Sequence, residues 1–177
     1  LDEEKLLSDW GVQKNKKLIL LPGRLASWKG QEMFIEAINL INKELDPKSF
    51  NVVILGSDQG RKLYKKKLLR LVEQYRLINQ VKFIDNCKNM PLAYKISDLV
   101  VSSSIEPEAF GRVAVEAQSM GKPIIHFGRP YTGFVNKGTL PTLTTTPYMR
   151  FTSAYTAMVP FTYNGYATNF VYDLQDT

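Results

Sequence analysis

Five short apolar runs, the first four each followed by a polar loop and a helix-like pattern, constrain what this chain can fold into more than any other feature. They are Lys17-Leu18-Ile19-Leu20-Leu21, Asn51-Val52-Val53-Ile54-Leu55, Val81-Lys82-Phe83-Ile84, Asp98-Leu99-Val100-Val101-Ser102 and a run opening at Pro123-Ile124-Ile125-His126. Short runs with little polar alternation suit strands covered on both faces. Helical spacing appears in Asp2 to Trp10, closing at Gly11, and in Met33, Phe34, Ala37, Ile38 and Ile41. It returns in Tyr64, Leu68, Leu71, Val72 and Tyr75, and in Met90–Ile96, where Pro91 suits a first turn. The alternation predicts an α/β fold: a Rossmann-like parallel sheet with right-handed crossovers and helices on both faces. In such folds ligands bind beyond the carboxyl ends of the strands.

The 177 residues suit one ordinary domain, since about 150 residues already bury roughly 70% of their unfolded surface. Residues 1–126 carry the alternating pattern. Residues 127–177 form an atypical aromatic and Thr-rich tail: residues 123–177 hold 11 of the 20 aromatics but only 5 of the 40 charged side chains. Pro141, Pro147 and Pro160 break the tail up, and Thr152–Val159 and Tyr163–Tyr172 have strand composition.

A single cysteine, Cys87, excludes an internal disulfide and is expected as a small buried thiol. With a single histidine, His126, there is no zinc-ligand cluster and no histidine-based triad of obvious spacing, so no metal site is expected. His126 is read as packed at its strand end. No signal peptide is expected at Leu1, and the sequence holds no apolar run of about 20 residues.

The net charge of +6 is concentrated in residues 1–122, which hold 20 basic and 15 acidic side chains. The densest cluster runs from Arg61 to Arg70. As a helix it turns Tyr64, Leu68, Leu71, Val72 and Tyr75 to one side and its lysines to the other, the pattern of a solvated helix covering a sheet. The second reading is attraction to an anionic membrane surface or an acidic acceptor. Nucleic acid is not expected, because no aromatic platform or recognised module accompanies the charge.

Two strand-to-helix loops carry the chemistry. Pro22-Gly23-Arg24-Leu25-Ala26-Ser27-Trp28-Lys29-Gly30 sets an arginine and a lysine five apart after a glycine turn, which can bring two cations to one phosphate-bearing ligand. Ser102 to Pro123 holds Glu108 and Glu116, with Phe110-Gly111 between them and Gly121-Lys122-Pro123 after. The amides at the start of a helix are unpaired and attract anions. Carboxylates beside an anion site suit a ligand that also offers hydroxyls, as a sugar on a diphosphate does; without such a ligand they are solvated surface acids.

Together these loops resemble the donor-site signature of the retaining nucleotide-sugar glycosyltransferases of family 4, whose GT-B fold sets two Rossmann-like domains face to face. The resemblance covers about residues 15 to 126 and implies one half of that fold, the carboxyl-terminal, donor-binding one. It implies that Arg24 and Lys29 grip the donor diphosphate, with Gly23 at the turn, and that Glu108 touches the transferred sugar. Glu116 would hold the ribose, Phe110 and Gly111 would line the pocket, and the backbone at Ile84, Asp85 and Asn86 would meet the base. Arg24, Lys29 and Glu108 are thus the expected catalytic residues, acting without cofactor or metal. Relatives continue after the fifth strand with a glycine-glycine turn, a further glutamate and then a threonine-glycine-phenylalanine-like strand entry; here only Thr132-Gly133-Phe134 is similar, to the last of these, and the intervening loop reads as deleted.

The implied activity is sugar transfer from a nucleotide diphosphate sugar with retention, in glycan or lipopolysaccharide biosynthesis. The expected location is the cytoplasm, or the periphery of the membrane's inner face. Because the sheet begins at Lys17 and Leu1 is not an initiating methionine, the chain is expected to be a fragment. It would lack the amino-terminal acceptor domain and be inactive in transfer alone. The alternatives are a non-catalytic nucleotide-sugar or partner-binding module and, more weakly, a nucleotide-sugar epimerase.

Overall fold

Lys17–Pro22 forms the strand β1, with Phe50–Leu55 (β2) parallel on one side and Leu99–Ser102 (β4) parallel on the other. Val81–Ile84 (β3) extends the sheet beyond β2, and Ile124–Phe127 (β5) extends it beyond β4. The five strands lie parallel in the order β3-β2-β1-β4-β5. The computed structural model describes residues 2–106 and 111–127, the last two as backbone only. Beyond them it describes the backbone of residues 149–150, 160–163 and 166–171.

Alternate residues of the central strands feed two core layers, because successive side chains of a strand point to opposite faces. Leu21, Val52 and Ile54 pack with Phe34, Ile35 and Ile38 of the helix Gln31–Ile41 (α2) and with Leu68 and Val72 of Lys62–Gln74 (α3). Leu18, Leu20, Val53 and Leu55 face the other way. They meet Trp10, which follows Asp2–Asp9 (α1), Ala93 and Tyr94 of Met90–Ile96 (α4), and Ala117 of Arg112–Ser119 (α5). The expected α/β architecture is observed, helices covering both faces. Trp10, 6% exposed, follows α1 into the core, and Leu6 and Leu7 of that helix pack against it partly buried.

Three local differences from the expectations have physical causes. Asp98 precedes its strand: its carboxylate accepts the Leu18 amide at 2.8 Å and the Lys17 ammonium at 2.9 Å, joining the amino ends of β1 and β4. Cys87 is only half-buried and bonds the Asn89 carbonyl at 3.3 Å. Pro160 opens a strand instead of breaking one. Pro160–Tyr163 (β7) pairs antiparallel with Tyr166–Val171 (β8), and Met149–Arg150 (β6) joins β8 to β5. β7 is the outermost strand, and proline is tolerated at the first residue of an edge strand. The strand expected at 163–172 corresponds to β8, whereas 152–159 and Thr132-Gly133-Phe134 lie outside the described residues. β5 runs across the position expected to divide the chain at 126/127.

Candidate functional site

The strand order reverses between β1 and β4, since β2 and β3 lie to one side and β5 to the other. Loops leaving the carboxyl ends of two such strands diverge to opposite faces and leave a crevice between them. Both chemistry-bearing loops leave from these two strands.

The first loop is fastened before it reaches its cations. The Gly23 amide donates to the Leu55 carbonyl at 2.8 Å and the Leu25 amide to Ser57 at 2.9 Å. A Cβ on Gly56 would lie 2.2 Å from the Gly23 carbonyl oxygen, so the turn seats directly on a glycine at the end of β2. Gln31, fully buried, donates from Nε2 to the Arg24 carbonyl at 2.9 Å and accepts from the Tyr64 hydroxyl at 3.1 Å. The 3-10 turn Ser27–Lys29 then carries Trp28, whose ring lies 5.2 Å from the Arg24 guanidinium and 4.4 Å from the Lys29 ammonium.

The second loop closes against that turn. The Ser103 hydroxyl donates to the Lys29 carbonyl at 2.8 Å, and the Ile105 amide to the Trp28 carbonyl at 2.9 Å. Gly30, at φ +70°, is indispensable here: a Cβ would sit 1.9 Å from the Ser103 carbonyl oxygen. Residues far apart in sequence are thereby joined, with Arg24 and Lys29 beside the stretch that leads into the glutamate pair.

Glu116 is half-buried on α5, which starts after Gly111 in the left-handed conformation at φ +64°. Its Oε2 accepts a 2.7 Å hydrogen bond from the Tyr94 hydroxyl of α4. Burial, then this hydrogen bond to the carboxylate, pushes the phenol above its ordinary range, so Tyr94 remains a donor at working pH. Glu108 and Phe110 lie outside the described residues.

Ile84 stands at the carboxyl end of β3 and its carbonyl accepts the Gly56 amide at 2.8 Å. Asp85 pairs with Lys65 at 2.6 Å, so its carboxylate is already engaged. The basic helix is built as its pattern predicts. Leu68 and Val72 are buried, Lys67 reaches Glu32 of α2 at 2.5 Å, and Lys62, Lys66 and Arg70 point to solvent beside Leu63, which is 86% exposed. Among the described residues no helix is long and apolar enough to cross a membrane.

Sequence reasoning missed the braces: Gln31, Tyr64 as a donor, Ser103 and Tyr94. Tyr94 carried a usable signal, because a phenol on the apolar face of a short helix needs a partner for its hydroxyl.

The family model described as "Glycosyl transferases group 1" matches residues 2–133. The chain belongs to that family. Within it, the chain is 32% identical over 117 residues to a D-inositol 3-phosphate glycosyltransferase of Paenarthrobacter aurescens, covering 65% of this chain and 28% of that protein. Among solved structures it is similar to a glycosyltransferase of Rickettsia africae (33% identity, TM-score 0.66, 71% of this chain and 32% of that one). It is also similar to Anabaena HepE, solved in complex with UDP and glucose (34% identity, TM-score 0.62, 70% of this chain and 32% of that one). The chain thus spans less than a third of the curated relatives it matches.

Proposed function

We propose that this chain binds a nucleoside diphosphate sugar and serves as the donor half of a group 1 glycosyltransferase that transfers the sugar with retention. The observation that carries the reading is the joining of the two loops at the reversal of strand order, where Ser103 and Ile105 bond the backbone of Lys29 and Trp28. That junction supports the reading because it ties the loop bearing both cations to the loop after β4, beside the crevice where α/β sheets bind nucleotides.

In this reading Arg24 and Lys29 neutralise the diphosphate, aided by the amides at the start of α5, and stabilise it as it departs. Glu116 accepts from a ribose hydroxyl, and Glu108 meets the sugar. Gly23, Phe110 and Gly111 shape the pocket and Ile84 lies toward the base. The positive charge comes from side chains and amides, so the reading calls for no metal. HepE was solved with UDP and with UDP-glucose, which makes uridine nucleotides the first ligands to try.

Calorimetric titration of the chain with UDP, GDP, ADP and TDP and with their glucose conjugates tests this directly. A saturable one-site isotherm with a diphosphate is expected, abolished or weakened in Arg24→Ala. A chain that binds none of them at millimolar concentration is not a donor domain.

A further inference from the structure

The Trp28 ring lies close to both cations assigned to the diphosphate, at 5.2 Å from the Arg24 guanidinium and 4.4 Å from the Lys29 ammonium. Arg24 and Lys29 are long side chains whose swing among rotamers has to be lost when one ligand engages both. An aromatic ring opposes the swing, because its electron-rich face attracts a cation within about 6 Å of its centre. Tryptophan does this best of the three aromatics.

The mount of the ring is as telling as its contacts. Its own carbonyl is held by the Ile105 amide at 2.9 Å, the next carbonyl by Ser103 at 2.8 Å, and Gly30 lies against the Ser103 backbone. The backbone of the turn is therefore tied at Trp28 and Lys29 to the loop that follows β4, and the ring meets both cations of its own loop from that fixed turn. Trp28 is half-buried, not a core residue, so packing alone gives no reason for so large a ring at a loop tip.

We propose that Trp28 is a positioning residue for the diphosphate clamp, holding Arg24 and Lys29 together in the empty site and releasing them to the ligand. The inference rests on the donor reading of this site. It adds that ligand affinity depends on a side chain that contributes no charge of its own.

The test is calorimetry of the chain with UDP and with uridine, using Trp28→Leu, Trp28→Phe, Arg24→Ala and Lys29→Ala, each checked by its circular dichroism melt. Trp28→Leu is expected to weaken UDP about fivefold, the scale of cation–π contacts at partly exposed sites, and Trp28→Phe to lose less. Uridine, which has no diphosphate, should bind all four variants like the unsubstituted chain. In an Arg24→Ala, Lys29→Ala background the Trp28→Leu loss should vanish. Unchanged UDP affinity in both Trp28 variants, with losses in Arg24→Ala and Lys29→Ala, overturns the positioning role alone. An equal loss for uridine shows instead that the ring supports the base or the fold. No effect of either cation on UDP removes the donor reading and this inference with it.

Discussion

Tyr94 and Glu116 are joined by a 2.7 Å hydrogen bond that links α4 to α5 and points a buried phenol at a half-buried carboxylate. A carboxylate oxygen fixed in this way loses rotational freedom, and its partner oxygen is aimed. If that carboxylate accepts from ribose, the phenol governs nucleotide affinity without touching the nucleotide.

Tyr94→Phe is therefore expected to weaken UDP by about 1.5–3 kcal/mol, the range of a hydrogen bond to a charged group. Against 2′,3′-dideoxy-UDP the loss should disappear. In a Glu116→Gln background Tyr94→Phe should cost less than alone, because the two residues act through one bond. Additive losses, or equal losses with the dideoxy ligand, would assign Tyr94 to packing.

Glu116→Gln should weaken UDP and UDP-glucose alike. Glu108→Gln should spare UDP and reduce only the increment that the glucose adds, each by about 1–3 kcal/mol. Solvated surface acids would leave both affinities within about ±0.5 kcal/mol. Calorimetry with the two ligands separates the cases.

Arg24→Ala and Lys29→Ala are each expected to cost about 1.5–3 kcal/mol of UDP binding, the scale of a charge-assisted hydrogen bond, with an unchanged melting temperature. A binding loss that tracks a lost fold would remove the assignment.

Gly30→Ala should destabilise the fold far more than Gly11→Ala. Both glycines have positive φ, +70° and +63°, and share a conformational cost of about 1–2 kcal/mol, but only Gly30 would drive its Cβ to within 1.9 Å of a backbone oxygen. Gln31→Leu, which strands the Arg24 carbonyl and the Tyr64 hydroxyl, should cost about 1–3 kcal/mol. Urea unfolding midpoints check all three; parity between the two glycines would contradict the close contact at Ser103.

The strands and helices were legible because burial on two faces leaves a local trace. Val52, Val53, Ile54 and Leu55 form a continuous apolar run, and α3 repeats its apolar residues at helical spacing. The two proposed cations stand out in sequence for a similar reason, as Arg24 and Lys29 sit at fixed offsets from glycines. What escaped was whatever depends on a partner distant in sequence. Nothing near Gln31 announces Tyr64, and nothing near Tyr94 announces Glu116, since each bond exists only after helices from different crossovers pack. Asp98 was assigned to a strand by its neighbours, although its carboxylate serves the amide of Leu18. Pro160 shows the converse: a breaker in local terms, it is harmless once it stands on an outer edge.

The bond from the Leu18 amide to Asp98 spans 80 positions of chain and that from Ser103 to Lys29 spans 74. Closures of that length carry an entropic toll and form slowly compared with the neighbouring pairing of β1 with β2. During refolding, an early species built on β1, β2 and β3 would possess Arg24 and Lys29 yet lack the ledge that Ser103 and Ile105 provide. Under the donor reading, diphosphate affinity after dilution from denaturant is expected to mark the arrival of β4 and to lag the recovery of helical signal.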